Sequence, residues 1–301
     1  MLQESLKKEV RQSIQGRVLF NVPMSRYTSL QVGGPADALV FPHDEVDLRR
    51  LVGMARQKGI SCFVIGKGTD LLVRDDGIRG FVVNLSSGFR GISAVLERIR
   101  VGAGILLKEM IHFAMERGLA GLAPLYGIPG TVGGGLAMNA GAWGSEIKER
   151  VESITVMNGE GATQKILRKD LDFEYRRLHL QKGTVILEGA FLMEQRKKNE
   201  IQEEIAYFQR RRSETQPLQF PSAGSIFKNP PGASAGRIIE DVGLKGKKVG
   251  GAEVSTIHGN FVINTGDATA TDVLELIDLI QKKVLGETGI TLEPEVRIVG
   301  E

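Results

Sequence analysis

Two glycine-rich segments are the first residues in the sequence whose types and spacing suggest chemistry. They are Ile65-Gly66-Lys67-Gly68-Thr69-Asp70 and Gly127-Ile128-Pro129-Gly130-Thr131-Val132-Gly133-Gly134-Gly135. Glycines leave backbone N–H groups uncovered, and a concavity of such amides can hold a pyrophosphate without a dedicated lysine. Either segment alone also reads as a tight turn. With Asn139-Ala140-Gly141-Ala142 just beyond the second, the pair suggests one extended diphosphate ligand lying between two subdomains. A third constellation, Gly224-Ser225-Ile226-Phe227-Lys228-Asn229-Pro230, places a hydroxyl, an ammonium and an amide within five positions after a proline-marked turn. It reads equally as a hydroxyl-stabilised turn ahead of prolines. Tyr175-Arg176 and Glu293-Pro294-Glu295-Val296-Arg297 are the remaining charged candidates, and spacing alone does not separate a site role from surface ion pairing.

Other chemistries fit poorly. Neither Gly66-Lys67-Gly68 nor Gly246-Lys247-Lys248 has the spacing of a Walker loop. Gly102-Ala103-Gly104 stands at a strand-to-helix junction, but Leu107 occupies the third glycine position of a Rossmann fingerprint. His43, His112, His179 and His258 are scattered, so no metal is expected. No Gly-x-Ser-x-Gly elbow occurs, and the single cysteine, Cys62, excludes an internal disulfide. The 39 basic and 36 acidic residues are interspersed, and a net charge of +3 is too small to argue for nucleic acid. Arg210 to Arg212 end a helical run, either as a solvated face or as a rim for a phosphorylated substrate. No apolar run is long enough to span a membrane and the first residues lack a signal-peptide core, so the expectation is a cytoplasmic protein with no membrane partner.

The elements that must position these residues follow from periodicity. Leu2, Leu6, Val10 and Ile14 form one helical stripe. Asp44 caps a second helix bearing Leu48, Leu51, Val52 and Ala55, which ends near Gly59. Strands are expected at Cys62 to Ile65 and Phe81 to Leu85, with a short apolar run at Leu71 to Val73 between them and an irregular polar stretch from Phe20 through Thr28. A further strand at Ile99 to Val101 precedes a helix carrying Leu107, Met110, Ile111, Ala114 and Met115, stopped by Gly118. The stretch from Leu119 to Gly144 shows little periodicity, and a structureless segment of that length is uncommon unless functional. Strands at Val151 to Val156 and Thr184 to Leu192 and a charged helix from Arg196 to Glu214 come next. The last unit has helices at Gly236 to Val242 and from Thr271, and strands at Phe261 to Asn264 and Glu295 to Val299.

Taken together, Thr28-Ser29-Leu30-Gln31-Val32-Gly33-Gly34-Pro35-Ala36-Asp37, the two glycine loops, Gly224 to Pro230 and Glu293 to Gly300 resemble the UDP-N-acetylenolpyruvoylglucosamine reductase family, in its shorter form, across nearly the whole chain. The resemblance implies an α+β protein: a p-cresol methylhydroxylase-type FAD-binding region of two α+β subdomains and a smaller carboxy-terminal α+β substrate domain. The expected division is an N-terminal helix over 1–19, FAD-binding subdomains over 20–86 and 87–198, and a substrate-binding domain over 199–301. It also implies non-covalent FAD, NADPH as cosubstrate and a UDP-linked enolpyruvyl sugar as substrate, in a monomer serving peptidoglycan synthesis.

Carried over by motif, the catalytic residues are Ser225 as proton donor, with Arg176 and Glu295 around the reacting group. The cofactor residues are Ile65, Gly66, Lys67, Gly68, Thr69, Asp70, Pro129, Gly130, Thr131, Gly133, Gly134, Asn139, Gly141 and Arg297. The substrate residues are Tyr175, Lys228, Asn229 and His258. One departure weakens the local match around Arg176: the family's serine two residues after the arginine is replaced by Leu178. The rival readings are another FAD oxidase or dehydrogenase of the same superfamily, which needs no serine proton donor, and a non-catalytic nucleotide-binding module.

Overall fold

The structure is a computed structural model that describes residues 2–301. Compactness divides the chain into two units, Met1–Phe20, Ala38–Lys67 and Gly80–Arg211 forming the first, and Asn21–Asp37, Gly68–Arg79 and Arg212–Glu301 the second. Segments early in the chain thus contribute to the same unit as the carboxy-terminal third. The four-part division expected along the sequence follows chain order and does not capture this interleaving.

In the first unit, Asp44 accepts the N–H of Asp47 to open the helix Glu45–Lys58, and Gly59 closes it in the left-handed region at φ 64°. This is the conformation glycine adopts without a Cβ penalty. The strand Cys62–Ile65 pairs in parallel with Ile78–Asn84, Ile65 lying opposite Asn84, and so delivers the chain into the first glycine loop. A five-stranded antiparallel sheet runs in the order Thr163–Leu167, Val151–Met157, Val185–Leu192, Arg98–Gly102, Ile92–Val95. Helix Leu107–Met115 packs into the same core through Leu107, Met110, Ile111 and Ala114.

The segment expected to lack structure between Leu119 and Gly144 is in fact ordered. It contains the helix Val132–Ala137, capped by the Thr131 side chain, and a hairpin of Gly141–Ala142 with Ser145–Glu146. Its glycines hid the helix, because each costs about 1 kcal/mol relative to alanine in a helix. Tertiary packing reverses that preference here. A Cβ on Gly133 would lie 2.8 Å from the Ala103 Cβ, and one on Gly135 would lie 3.2 Å from both Leu107 methyls. The polar-looking stretch after Phe20 is also partly regular, since strands cover Arg17–Pro23 and Pro35–Phe41.

In the second unit an antiparallel sheet runs in the order Ser222–Ser225, Phe261–Asn264, Ala252–Val254, Lys248–Val249. Helix Ala270–Thr288 buries Val273, Leu276, Ile277, Ile280 and Val284 in a core shared with Leu30, Leu72, Phe227 and Val262. The Asp75 carboxylate accepts the Ala270 and Thr271 amides at 2.8 and 2.9 Å and the Thr271 hydroxyl at 2.7 Å, fixing the start of that helix. The last strand is Arg297–Val299, paired in parallel with Leu71–Val73. It is shorter than expected, and Glu295 precedes it.

Candidate active site

The first glycine loop leaves the end of the parallel pair at Ile65, and the Asn84 side chain donates to the Gly66 carbonyl at 3.0 Å. Gly66 then approaches Thr131 so closely that a Cβ there would lie 2.5 Å from the Thr131 Oγ1. The two loops expected to share a ligand therefore meet within one unit. Thr131 is buried, and its hydroxyl accepts the Gly134 N–H at 3.2 Å.

The amides divide into two groups. Those of Gly130, Val132, Gly133 and Gly135 are spent internally, on the carbonyls of Ile128, Ile105, Ala103 and Thr131. The Gly66 and Lys67 amides donate to no protein acceptor among the described residues. Most glycines of the second loop thus serve close packing and helix capping, while uncommitted amides lie on the first loop at Gly66 and Lys67 and on the second at Gly127 and Thr131. A side-chain-free cradle with uncommitted amides fits the diphosphate of FAD, with Gly66, Lys67 and Thr131 as the residues that would hold it. Pro129 is exposed and Gly130 half-buried at the outer edge of the second loop.

Arg176 sits in the turn of the hairpin Asp172–Glu174 and Arg177–His179. Its backbone is left-handed at φ 60°, and its guanidinium lies 4.8 Å from the Tyr175 ring. A Cβ on Gly141 would lie 2.8 Å from the Ser145 carbonyl oxygen and 3.0 Å from the Arg176 Nη1, so the guanidinium lies close over this glycine. Asn139, wholly buried, donates to the Glu174 carbonyl and to the Glu146 carboxylate, both at 2.9 Å. Its side-chain donors are committed to the protein. Arg176, Gly141 and Asn139 thus form one assembly within the first unit, the last two following the second glycine loop in sequence.

The second unit carries the other candidates. Gly68 takes φ 67° and accepts the Ser29 N–H at 2.9 Å, and the Ser29 hydroxyl donates to the Thr69 carbonyl at 3.4 Å and to the Ser222 carbonyl at 2.6 Å. The Arg297 amide donates to the Asp70 carbonyl at 3.3 Å. Ser225, half-buried, lies opposite Phe261 in the antiparallel pair after a bulge at Gly224, whose φ is 75°. Glu295 is held alongside, its amide donating to the Ile226 carbonyl at 2.7 Å. Lys228 pairs with Glu293 through both its amide and its ammonium.

Two expected substrate residues have structural engagements. Asn229 accepts the Ala235 N–H at 2.9 Å at the start of the helix Ala235–Asp241. His258 accepts the Asn260 N–H at Nδ1, 3.1 Å away, and meets the Phe261 ring edge-on at 4.8 Å. Burial, and then the nearby Lys245 ammonium, push the His258 imidazole below its ordinary value. The neutral ring with a free Nδ1 lone pair is the form this bond requires. Asn260 was not singled out in the sequence, and its only signal there is its place two residues after His258 at the mouth of a strand. Among the described residues no cluster of metal-ligating side chains occurs, and no helix is long and apolar enough to cross a membrane.

The α+β fold and the cradle at Gly66 define a class, and residues 36–167 match the family described as FAD binding domain. This is an FAD-binding flavoprotein. Residues 216–299 match the family described as UDP-N-acetylenolpyruvoylglucosamine reductase, C-terminal domain. The UDP-N-acetylenolpyruvoylglucosamine reductase of Pelobacter propionicus is 47% identical over 290 residues, covering 96% of this chain and 98% of that protein. The enzyme of the same name from Geobacter metallireducens is 44% identical over 300 residues, covering 100% of both. Among solved structures, UDP-N-acetylenolpyruvylglucosamine reductase from Thermus caldophilus superposes with a TM-score of 0.82 at 37% identity, covering 95% of this chain and 100% of that one. The chain belongs to the UDP-N-acetylenolpyruvoylglucosamine reductase family.

Proposed function

We propose that this protein is a cytoplasmic, monomeric reductase that uses FAD and NADPH to convert UDP-N-acetylglucosamine enolpyruvate to UDP-N-acetylmuramate, a peptidoglycan precursor. Family membership over the full chain supports the reaction, and the meeting of Gly66 with Thr131 is the observation that carries the cofactor site. Nucleic acid and membrane have no part in this reading.

When bound, FAD supplies the hydride chemistry that no side chain can perform. The residues of the chain handle charge and protons. Hydride arriving at C3 of the enolpyruvyl group builds negative charge toward its carboxylate, and Arg176 stabilises that charge. A fixed donor in a water-excluded site contributes roughly 3 to 4 kcal/mol to such a step. Ser225 then delivers a proton to C2. A lone hydroxyl is a weak acid, so its proton is replaced through Glu295 or Lys228. Tyr175, Lys228, Asn229 and His258 orient the substrate, and Arg297 lies on the cofactor side.

Stopped-flow absorbance on Ser225→Ala tests the assignment. Bleaching of the flavin by NADPH should proceed at the normal rate, while recovery of its colour on adding the enolpyruvyl substrate should slow by about two orders of magnitude or more. Equal damage to both phases would remove Ser225 from the proton step.

A further inference from the structure

The strand Ser222–Ser225 stops pairing regularly at the bulge around Gly224, yet the next three residues stay fixed against strand Phe261–Asn264. Their anchor is the Asn260 side chain, which is 4% exposed. Its Oδ1 accepts the Phe227 N–H at 3.0 Å and its Nδ2 donates to the Phe227 carbonyl at 2.8 Å. A side-chain amide thus takes the place of a peptide group and extends the sheet by one pair. The Asn260 carbonyl accepts the Ile226 N–H at 2.9 Å, and its own N–H is held by His258. On the far edge of the same segment, Phe227 forms an isolated bridge with Pro294, and the Ile226 carbonyl accepts the Glu295 amide. Ser225, two residues before Phe227, and Glu295 both take their position from this segment.

We infer that Asn260 is a positioning residue that fixes Ser225 and Glu295 through its two bonds to Phe227. The inference rests on the reading that Ser225 protonates the substrate. Only a neutral group with a donor and an acceptor side by side can make both bonds. An apolar substitute leaves the Phe227 peptide unpaired, and a carboxylate repels its carbonyl.

The test compares Asn260→Ala, Asn260→Asp and Ser225→Ala with Asn264→Ala in the full-length holoenzyme. Asn264 is a suitable control because it is equally buried, at the far end of the strand that Asn260 precedes, but binds the Leu30 carbonyl and the Gly266 and Ala268 amides instead. Asn260→Ala should slow flavin reoxidation by substrate about tenfold to a hundredfold, the scale of an ångström-sized misplacement. It should leave NADPH reduction within about threefold of the native rate and speed hydrogen exchange at the Phe227 amide.

Asn260→Asp should recover the substrate step as pH falls, because the protonated acid again offers a donor and an acceptor. The titratable groups near this site are His258, Lys245, Glu240, Lys228, Glu293 and Glu295, so the native protein is measured over the same range and the gain is read as the ratio of Asn260→Asp to native. The inference is overturned if Asn260→Ala behaves like Asn264→Ala in both half-reactions, if Phe227 exchange is unchanged, or if Asn260→Asp shows no recovery. A slow Ser225→Ala with a fast Asn260→Ala overturns the positioning role alone. A Ser225→Ala with a normal substrate step overturns the proton-donor reading, and this inference with it.

Discussion

Replacing Gly66 by alanine would put a methyl carbon 2.5 Å from the Thr131 Oγ1, about 0.9 Å inside the 3.4 Å at which ordinary contact begins. The Thr131 Cβ and Cγ2, at 3.6 and 3.7 Å, would be in ordinary contact, so one oxygen atom causes the whole collision. That oxygen is also the acceptor for the Gly134 amide. Relief by rotating Thr131 gives up a helix cap, at about 1 kcal/mol, and relief by parting the loops carries the cost of overpacking, about 1 to 3 kcal/mol. If that cost falls on the bound state, FAD affinity drops about 5- to 150-fold.

The measurement is a fluorescence titration of apoprotein with FAD for the native chain, Gly66→Ala, Thr131→Ala and the double variant. Because Thr131→Ala deletes the offending oxygen, Gly66→Ala in that background should cost under about 0.5 kcal/mol, giving a coupling of about 1 kcal/mol or more. Additive losses would refute the claim that the two loops meet at this atom pair.

Asp47 is buried and accepts the amides of Gln15, Gly16 and His43 at 3.0, 2.7 and 3.0 Å. Burial raises its carboxyl, but these bonds outweigh it and the net value lies below 3.8. Its stabilisation is therefore complete above that pH and fades as pH falls through the lower folded value. Asp47→Ala should lose about 1 to 3 kcal/mol at neutral pH in denaturant melts, with the gap to the native protein closing in strong acid. His258, held below its ordinary 6.5 by burial and Lys245, contributes stability that is present above that value and is lost as pH falls toward the folded one. Melting curves should show a smaller acid loss in His258→Gln than in the native chain. Asn139→Ala removes a buried donor from the Glu174 carbonyl and the Glu146 carboxylate, so it should cost about 1 to 3 kcal/mol in melts and slow substrate-driven flavin recovery through the Arg176 turn, with FAD affinity less affected than in Gly66→Ala.

Local signals in the sequence were legible where the physics is local. Asp44 and Gly59 bound a helix because capping acts within one turn, and Cys62 to Ile65 is a strand with the bounds its apolar run suggests. The buried strand Pro35–Phe41 was not legible, because Asp37 interrupts its apolar run. That carboxylate is paired with Arg79 at 2.9 Å, 42 residues on. The helix Val132–Ala137 was hidden by glycines whose reason lies in distant Ala103 and Leu107. The turns at Trp143 and Arg176, with φ of 56° and 60°, use residues that turn chemistry does not favour. Trp143 is held there by Arg211, 4.4 Å from its ring, and by a stack on Phe208, contacts that spacing cannot reveal. Motif resemblance located the candidate site residues, and spacing alone left them indistinguishable from surface pairs.

A common device anchors the irregular segments that carry these candidates. Asn84 holds the Gly66 carbonyl, Asn139 holds the Glu174 carbonyl beside the Arg176 turn, and Asn260 brackets Phe227 beyond Ser225. A binding loop that must remain irregular cannot satisfy its peptide groups by sheet pairing, and an unsatisfied buried peptide group costs about 1 to 3 kcal/mol. An asparagine side chain has the donor and acceptor of a peptide without its chain continuity and carries no charge to desolvate. All three are buried, at 7%, 0% and 4% exposure, so each bond is shielded from competition by water. Rigidity at these candidate positions thus comes from the interior of each unit, and the loops stay free of the side-chain bulk that would obstruct a ligand.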